Sequence, residues 1–164
     1  MTNRKEIDNI MATLTMIQKA LSLKEKYEVY DGDTLKYFIE RRKLMSSKPA
    51  FDISVESGVI ASAEVTATGS PLIFKLTFNG EDAGEIRYDG VAGINKLVYE
   101  AKGIEIDGNS MLTEFTVKKD KKSIGTIKKK IVSFKDTYAI EFESEGDSLL
   151  FTALTLVIDE TFHG

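Results

Sequence analysis

Asp147-Ser148-Leu149-Leu150-Phe151-Thr152-Ala153-Leu154-Thr155-Leu156-Val157-Ile158 is the stretch on which the fold turns. It is the one strongly apolar run in a chain otherwise written in short alternating segments. No charge falls between Leu149 and Ile158, and Asp147 and Asp159 bracket them. A helix that is apolar all round has to be enclosed by something. Crossing a bilayer takes roughly 20 apolar residues, whereas runs of about 10–14 are more often buried core helices. A buried strand is the other reading, because Phe151, Thr152, Thr155, Val157 and Ile158 have good β-propensity. Periodicity does not separate the two. An N-cap at Asp147 or Ser148 favours the helix. The expectation is a central helix over 147–160, with Leu149, Leu150, Phe151, Leu154, Val157 and Ile158 as its core residues.

The rest of the chain supplies the enclosure. Residues 1–12 read either as a short amphipathic helix, with Ile7, Ile10, Met11 and Leu14 on one face and Asn3 and Glu6 as a capping box, or as a frayed terminus. From Thr13 the period becomes two. Leu14 and Met16 open a first strand, and Tyr27 and Val29 share a face of a second. Asp31-Gly32-Asp33 turns the chain into Leu35 to Glu40. Ser46-Ser47-Lys48-Pro49 reads as a loop. Phe51, Ile53 and Val55 form the next face, then Val59, Ala61, Ala63 and Val65, then Leu72, Phe74, Leu76 and Phe78. Asn79-Gly80 is a strong hairpin signal, with Glu81 to Tyr88 pairing back. Residues 89–113 are harder to read: Lys96 to Glu100 suggests a strand and Asp107-Gly108-Asn109 a turn. Phe115 and Val117 resume the alternation, and Lys118 to Ser123 reads as a charged turn. Ile124 to Phe134 and then Tyr138, Ile140 and Phe142 lead to the apolar run. Ten to twelve short strands at hairpin spacing predict a barrel or sandwich. A large closed barrel needs something in its interior, and a helix of about 12 residues, ~18 Å long, suits that role. The fold expected is mainly β: a closed barrel of about twelve strands enclosing a hydrophobic C-terminal helix, as one domain over 1–164.

Composition narrows the function classes. With 42% hydrophobic and 29% charged residues the chain reads as globular. The absence of cysteine removes disulfides, thiolate catalysis and cysteine metal sites. His163 is the only histidine, which nearly excludes a histidine-based triad or a multi-histidine metal site, and its terminal position suggests a disordered tail. Asp31-Gly32-Asp33 and Asp107-Gly108-Asn109 do not continue as a calcium loop. No phosphate-binding glycine loop occurs, and the Gly90-Val91-Ala92-Gly93 spacing lacks the flanks of an RNA-binding loop. Met1 to Asp8 are polar, with no apolar signal core following, so a cytoplasmic protein is expected.

The formal charge of −4 argues mildly against nucleic acid, but it is uneven. Lys118 to Lys135 carries eight lysines against Asp120 alone. Lys118, Lys119, Lys121, Lys122, Lys128 and Lys130 are the candidate surface for an anionic ligand, with Arg41 and Arg42 as a second cluster suited to phosphate. Two considerations weigh against one patch. Charge runs usually solvate a face, and alternation turns Lys129 away from Lys128 and Lys130.

With the elements in order, the chain resembles the LOR (YxjI-like) family over about Thr13 to Phe162. Its strongest part is Ile124-Gly125-Thr126-Ile127-Lys128-Lys129-Lys130-Ile131-Val132-Ser133-Phe134-Lys135-Asp136-Thr137-Tyr138-Ala139-Ile140-Glu141-Phe142. There the family writes an Ile-Gly-x-Ile-x-Lys-Lys strand, a Ser-aromatic-x-Asp-Thr-Tyr turn and an alternating strand. Leu150 to Asp159 is similar to the family's closing helix, and Ile17 to Tyr27 to its opening motif. The resemblance implies the tubby C-terminal-like fold, twelve strands around a hydrophobic helix. Its wider superfamily includes phosphoinositide-binding proteins and phospholipid scramblases. No residue-level lipid motif carries over. The expected function is a non-enzymatic binding module without a cofactor. Its expected partner is an anionic phospholipid headgroup at the inner membrane surface, or a protein. The rival expectations are an assembly protein acting through oligomer contacts and a small-molecule carrier.

Overall fold

The computed structural model describes residues 11–19, 26–42, 48–132 and 135–163. The expected helix or frayed tail over 1–12 falls almost wholly outside them, as do much of the opening-motif resemblance and the centre of the Ser46 loop. Twelve strands follow one another: β1 (Ala12–Lys19), β2 (Lys26–Asp31), β3 (Thr34–Arg41), β4 (Ala50–Val55), β5 (Gly58–Ala67) and β6 (Leu72–Phe78). They continue with β7 (Glu81–Tyr88), β8 (Lys96–Tyr99), β9 (Ile104–Gly108), β10 (Glu114–Lys119), β11 (Lys122–Val132) and β12 (Lys135–Phe142). Each pairs antiparallel with its sequence neighbours, and β1 closes the barrel on β12, with Ala12 opposite Phe142 and Ile17 opposite Thr137. The last element is α1 (Ser148–Phe162).

Up-and-down closure gives the barrel two ends. The tight turns, the 3-10 turn Glu100–Lys102 and the segment leading into α1 surround the mouth, where the helix enters. The end of β3, the start of β4 and the segments 68–71, 89–95 and 109–113 surround the base, where α1 ends. All nine residues from Phe151 to Asp159 are buried, so every face of the helix meets the wall. The wall meets it with Leu14 and Met16, Phe51 and Ile53, Phe74 and Leu76, Phe115 and Val117, and their counterparts on the other strands. The helix backbone comes nearest to β5, β12 and β6; on β5 the inward residues include the small Ala61 and Ala63. Thr152 and Thr155 are buried without cost to the pattern, because each hydroxyl donates to the carbonyl four residues back, Ser148 O at 2.8 Å and Phe151 O at 2.7 Å.

Several sequence expectations change. The helix begins at Ser148 and runs to Phe162; Asp147 is its N-cap residue, one of the two expected positions, but its side chain makes no capping hydrogen bond. Val59 leaves the face of Ala61, Ala63 and Val65, because a register shift beside Ile53 and Ser54 turns it outward, 60% exposed. Asp107-Gly108-Asn109 is not a turn. Asp107 and Gly108 end β9, and a Cβ on Gly108 would sit 2.8 Å from the Phe115 ring. Glu100 starts the 3-10 turn rather than ending a strand. Lys118 and Lys119 belong to β10 and Lys122 to β11, so the charged turn shrinks to Asp120 and Lys121. His163 is not a loose tail, since its Nε2 lies 2.8 Å from Leu112 O.

Gly125 explains the glycine of the Ile-Gly-x-Ile strand. A Cβ there would stand 2.5 Å from Glu141 O and 2.6 Å from the Phe151 ring. Phe151 stacks on Phe142, the partner of Gly125 across the sheet, at 4.9 Å. The glycine is therefore the recess that lets the Phe151 ring reach the wall. Gly125→Ala is expected to lower stability by about 3 kcal/mol, because a backbone oxygen cannot step aside as a side chain would. Gly146→Ala, whose Cβ would meet nothing nearer than Ser144 Oγ at 3.7 Å, should be close to neutral. Urea midpoints of the two variants check the contrast.

Candidate functional site

Three places stand out from the apolar core and the solvated wall. The first is inside the base. Asp159 is the only charged residue in the buried part of α1. Tyr138 of β12 donates to its Oδ1 and Tyr27 of β2 to its Oδ2, each at 2.5 Å. Tyr27 also donates to Glu160 Oε2 at 3.0 Å. Lys129, inward-facing on β11 and only 13% exposed, pairs with Asp136 at 3.3 Å beside this cluster. Burial raises the Asp159 carboxyl above the usual range; the two phenols and Lys129 pull it back without restoring it. Burial, and then the charge of Asp159, push the Tyr138 phenol far above the ordinary phenol range. Tyr27, Tyr138 and Asp159 are at most 1% exposed, so the cluster holds protons and the helix rather than a substrate.

The second place is the mouth. Lys36 is the extra residue of a bulge between β2 and β3, where Val29 faces Tyr37 and Tyr30 faces Leu35. The bulge re-aims its side chain. Its Nζ donates to Glu145 Oε1 at 3.0 Å and to Ser148 Oγ at 3.1 Å. Burial pulls this ammonium down, but Glu145 and Tyr37 outweigh it, and the net shift is upward. A lysine held protonated is no general base for Ser148, whose hydroxyl itself donates to Glu145 O at 2.8 Å. Across the mouth, Phe78, Ile104, Leu149 and Leu150 floor a cleft of about 230 Å³ rimmed by Lys102, Lys119 and Asp147.

The third place is the outside of the base. Val91, Ile94 and Met111 are exposed, Met111 by 77%. They stand on the segments 89–95 and 109–113, which hydrogen bonds join: Asn95 Nδ2 to Asn109 O at 3.1 Å and Gly108 N to Asn95 O at 2.8 Å. The helix end holds both from beneath. Phe162 packs on Phe115 and Tyr88, and His163 meets Leu112 O.

The basic residues singled out by the sequence do not form one patch. Lys122 and Lys130 are at opposite ends of β11, ~26 Å apart at 3.3 Å per residue. Lys118 faces outward and pairs with Asp107 of β9 at 3.1 Å; Lys128 pairs with Glu114 of β10 at 3.4 Å. Lys119, one residue further along β10 than Lys118, turns into the mouth cleft. Lys121 and Lys122 are exposed near it at the hairpin tip, and Lys130 is exposed at the base. Arg41 and Arg42 lie at the base on the β3 side, four strands round the barrel from β11, and Arg42 is held by Asp52 at 2.7 Å. Among the described residues, no group of histidine, cysteine or carboxylate side chains could hold a metal ion. No helix among them is long and apolar enough to cross a membrane.

The sequence reading missed the Asp159 cluster, treating Asp159 as a boundary and Tyr27 and Tyr138 as ordinary face residues. The available signal was an acid placed before the end of an otherwise uninterrupted apolar helix. It also passed over Val91, Ile94 and Met111, which stand in turn-rich segments where alternation assigns no face.

The sequence profile of the LURP-one-related (LOR) family matches residues 12–159, from the first strand to the buried carboxylate of the helix. The chain belongs to the LURP-one-related family. The chain is similar to the uncharacterized protein YxjI of Bacillus subtilis (strain 168). It is 25% identical over 150 residues, covering 91% of this chain and 93% of the relative. No solved structure gives a significant match.

The Asp159 cluster predicts a pH dependence. Because the folded carboxyl titrates above its unfolded value, the folded state binds the extra proton between the two. Its contribution is therefore full below about pH 4 and is lost as pH rises through the folded value. Tyr138→Phe removes one of the donors on which the ionised form depends. It should cost about 2 kcal/mol near neutral pH and less in mild acid. Urea unfolding of the variant and the parent at both pH values checks the sign.

Proposed function

We propose that this LURP-one-related chain is a non-enzymatic binding module that docks by its base on an anionic phospholipid surface. One observation carries the reading: Val91, Ile94 and Met111 are exposed together on two joined segments, with Lys128 and Lys130 on the neighbouring wall. Lys129 N donates to Thr113 O at 2.8 Å, so that wall adjoins the Met111 segment directly. Scattered exposed apolar residues need no explanation, but three on adjoining segments do. They protrude rather than line a groove, and a fluid surface accepts protrusions that a rigid partner would have to match. The filled bore supports the same reading, since it leaves recognition to the outside of the barrel.

The magnitudes suit reversible attachment. Half-exposed apolar side chains entering the interface contribute about 1 kcal/mol each, and a lysine near an anionic surface about as much. With Lys128 paired to Glu114, the three apolar side chains and Lys130 together give about 4 kcal/mol, close to a single acyl anchor, which binds only marginally. Attachment should therefore be lost at high salt, where the charge contribution is screened.

Co-sedimentation with vesicles of phosphatidylcholine alone and of phosphatidylcholine with phosphatidylserine tests the reading. The expected result is salt-sensitive binding to the anionic vesicles. It should be weakened about tenfold by Lys128→Gln with Lys130→Gln, and again by Ile94→Asp with Met111→Asp. Equal binding to neutral vesicles, undiminished binding by either variant, or no binding to either vesicle would overturn it. The last outcome would direct the search to a protein partner.

A further inference from the structure

The base does not account for the lysines around the mouth. Most lysines on the barrel wall have a carboxylate partner: Lys19 with Glu28, Lys75 with Asp82, Lys96 with Glu105, Lys118 with Asp107. Among the described residues, Lys130 at the base has none, and neither do Lys102, Lys119, Lys121 and Lys122, which all stand on the 3-10 turn after β8 or on the β10–β11 hairpin. These two pieces are fixed to each other. Asp120 N donates to Gly103 O at 3.1 Å, and Ile104 is the cross-strand partner of Lys119. The corner is thus a rigid, locally cationic rim.

The rim borders an apolar floor. Ile104 is buried beneath it, while Phe78, Leu149 and Leu150 are only partly covered by the core they pack against. Their cleft of about 230 Å³ equals about eight water volumes at ~30 Å³ each. That is below the range of sites for drug-sized ligands, so it suits a small headgroup with a short chain. An unpaired cation beside an uncovered apolar surface is complementary to one class of molecule.

We infer that this cleft binds a small amphiphile with a single anionic headgroup and a short apolar tail. Lys102 and Lys119 hold the headgroup, and Leu149, Leu150 and Phe78 hold the tail. Asp147, the acid on the rim, selects a monoanion over a more highly charged group and is the internal brake on affinity. The cleft lies at the opposite end of the barrel from the proposed lipid-docking segments, so the inference stands or falls without them.

Octanoate is the probe, with acetate as the tail-less control and octylammonium as the control of opposite sign. Calorimetry gives stoichiometry and affinity, and amide NMR shifts at Gly146, Leu149 and Leu150 report the place. The expected result is saturable one-to-one binding of octanoate with shifts at those amides. Affinity should be at least tenfold above acetate, since each buried methylene contributes about fourfold. It should fall about tenfold in Lys102→Gln with Lys119→Gln and rise in Asp147→Asn, all substitutions of side chains outside the core. Non-saturating uptake, equal binding of octylammonium, or a Lys102/Lys119 variant that binds like the parent would overturn the inference. So would shifts centred on Met111 rather than Leu149.

Discussion

A twelve-stranded sheet closed on itself encloses more space than its own inward side chains fill; about eight strands is the size at which side chains alone suffice. The apolar helix is what makes this closure possible, and the other features answer to it. Ala61 and Ala63 keep the wall thin where the helix comes close. Gly125 leaves the recess for Phe151. Thr152 and Thr155 turn their hydroxyls onto their own helix, so neither hydroxyl has to be met by the wall. Closure in turn gives the helix what it lacks alone, since a segment this short and this apolar has no stable place in water.

A greasy cylinder in a greasy bore could slide or rotate, because dispersion contacts are non-directional. Hydrogen bonds at the two ends oppose that. At the base, both oxygens of Asp159 are held by tyrosines from two different strands, β2 and β12. At the mouth, Lys36 ties β3 to Ser148 and to Glu145 just before the helix. A buried carboxylate is costly unless hydrogen-bonded, and here it is bonded at both oxygens. Its cost is offset by fixing the depth and rotation of the element on which the barrel depends.

Most of the architecture was legible because both periodicities are clean: alternation in Leu72 to Phe78 and in Tyr138 to Phe142, and an unbroken apolar run after Ser148. What escaped was whatever depends on a neighbour distant in sequence. Val59 alternates correctly on paper but is turned out by a register shift beside Ser54. Gly108 looks like a turn glycine, although its smallness serves the Phe115 ring of the next strand. The lysine run was visible as charge, but its division between two ends of the barrel, and the partners that neutralise Lys118 and Lys128, required the pairing register. His163 looked like a tail because nothing near it in sequence points to Leu112.

The filled bore moves recognition to the ends, which differ in character: a rigid cleft with a lysine rim at the mouth, and protruding apolar segments beside lysines at the base. Both require the helix to stay in place, since Leu149 and Leu150 floor the one and Phe162 and His163 support the other. Native-state hydrogen exchange at the amides of residues 151–159 tests that dependence most directly. If helix and barrel form one cooperative unit, these amides exchange only through global unfolding, with the same free energy as the most protected strand amides. Exchange of the helix at markedly lower free energy, with strand protection unchanged, would show a barrel that stands without its core and would contradict the account.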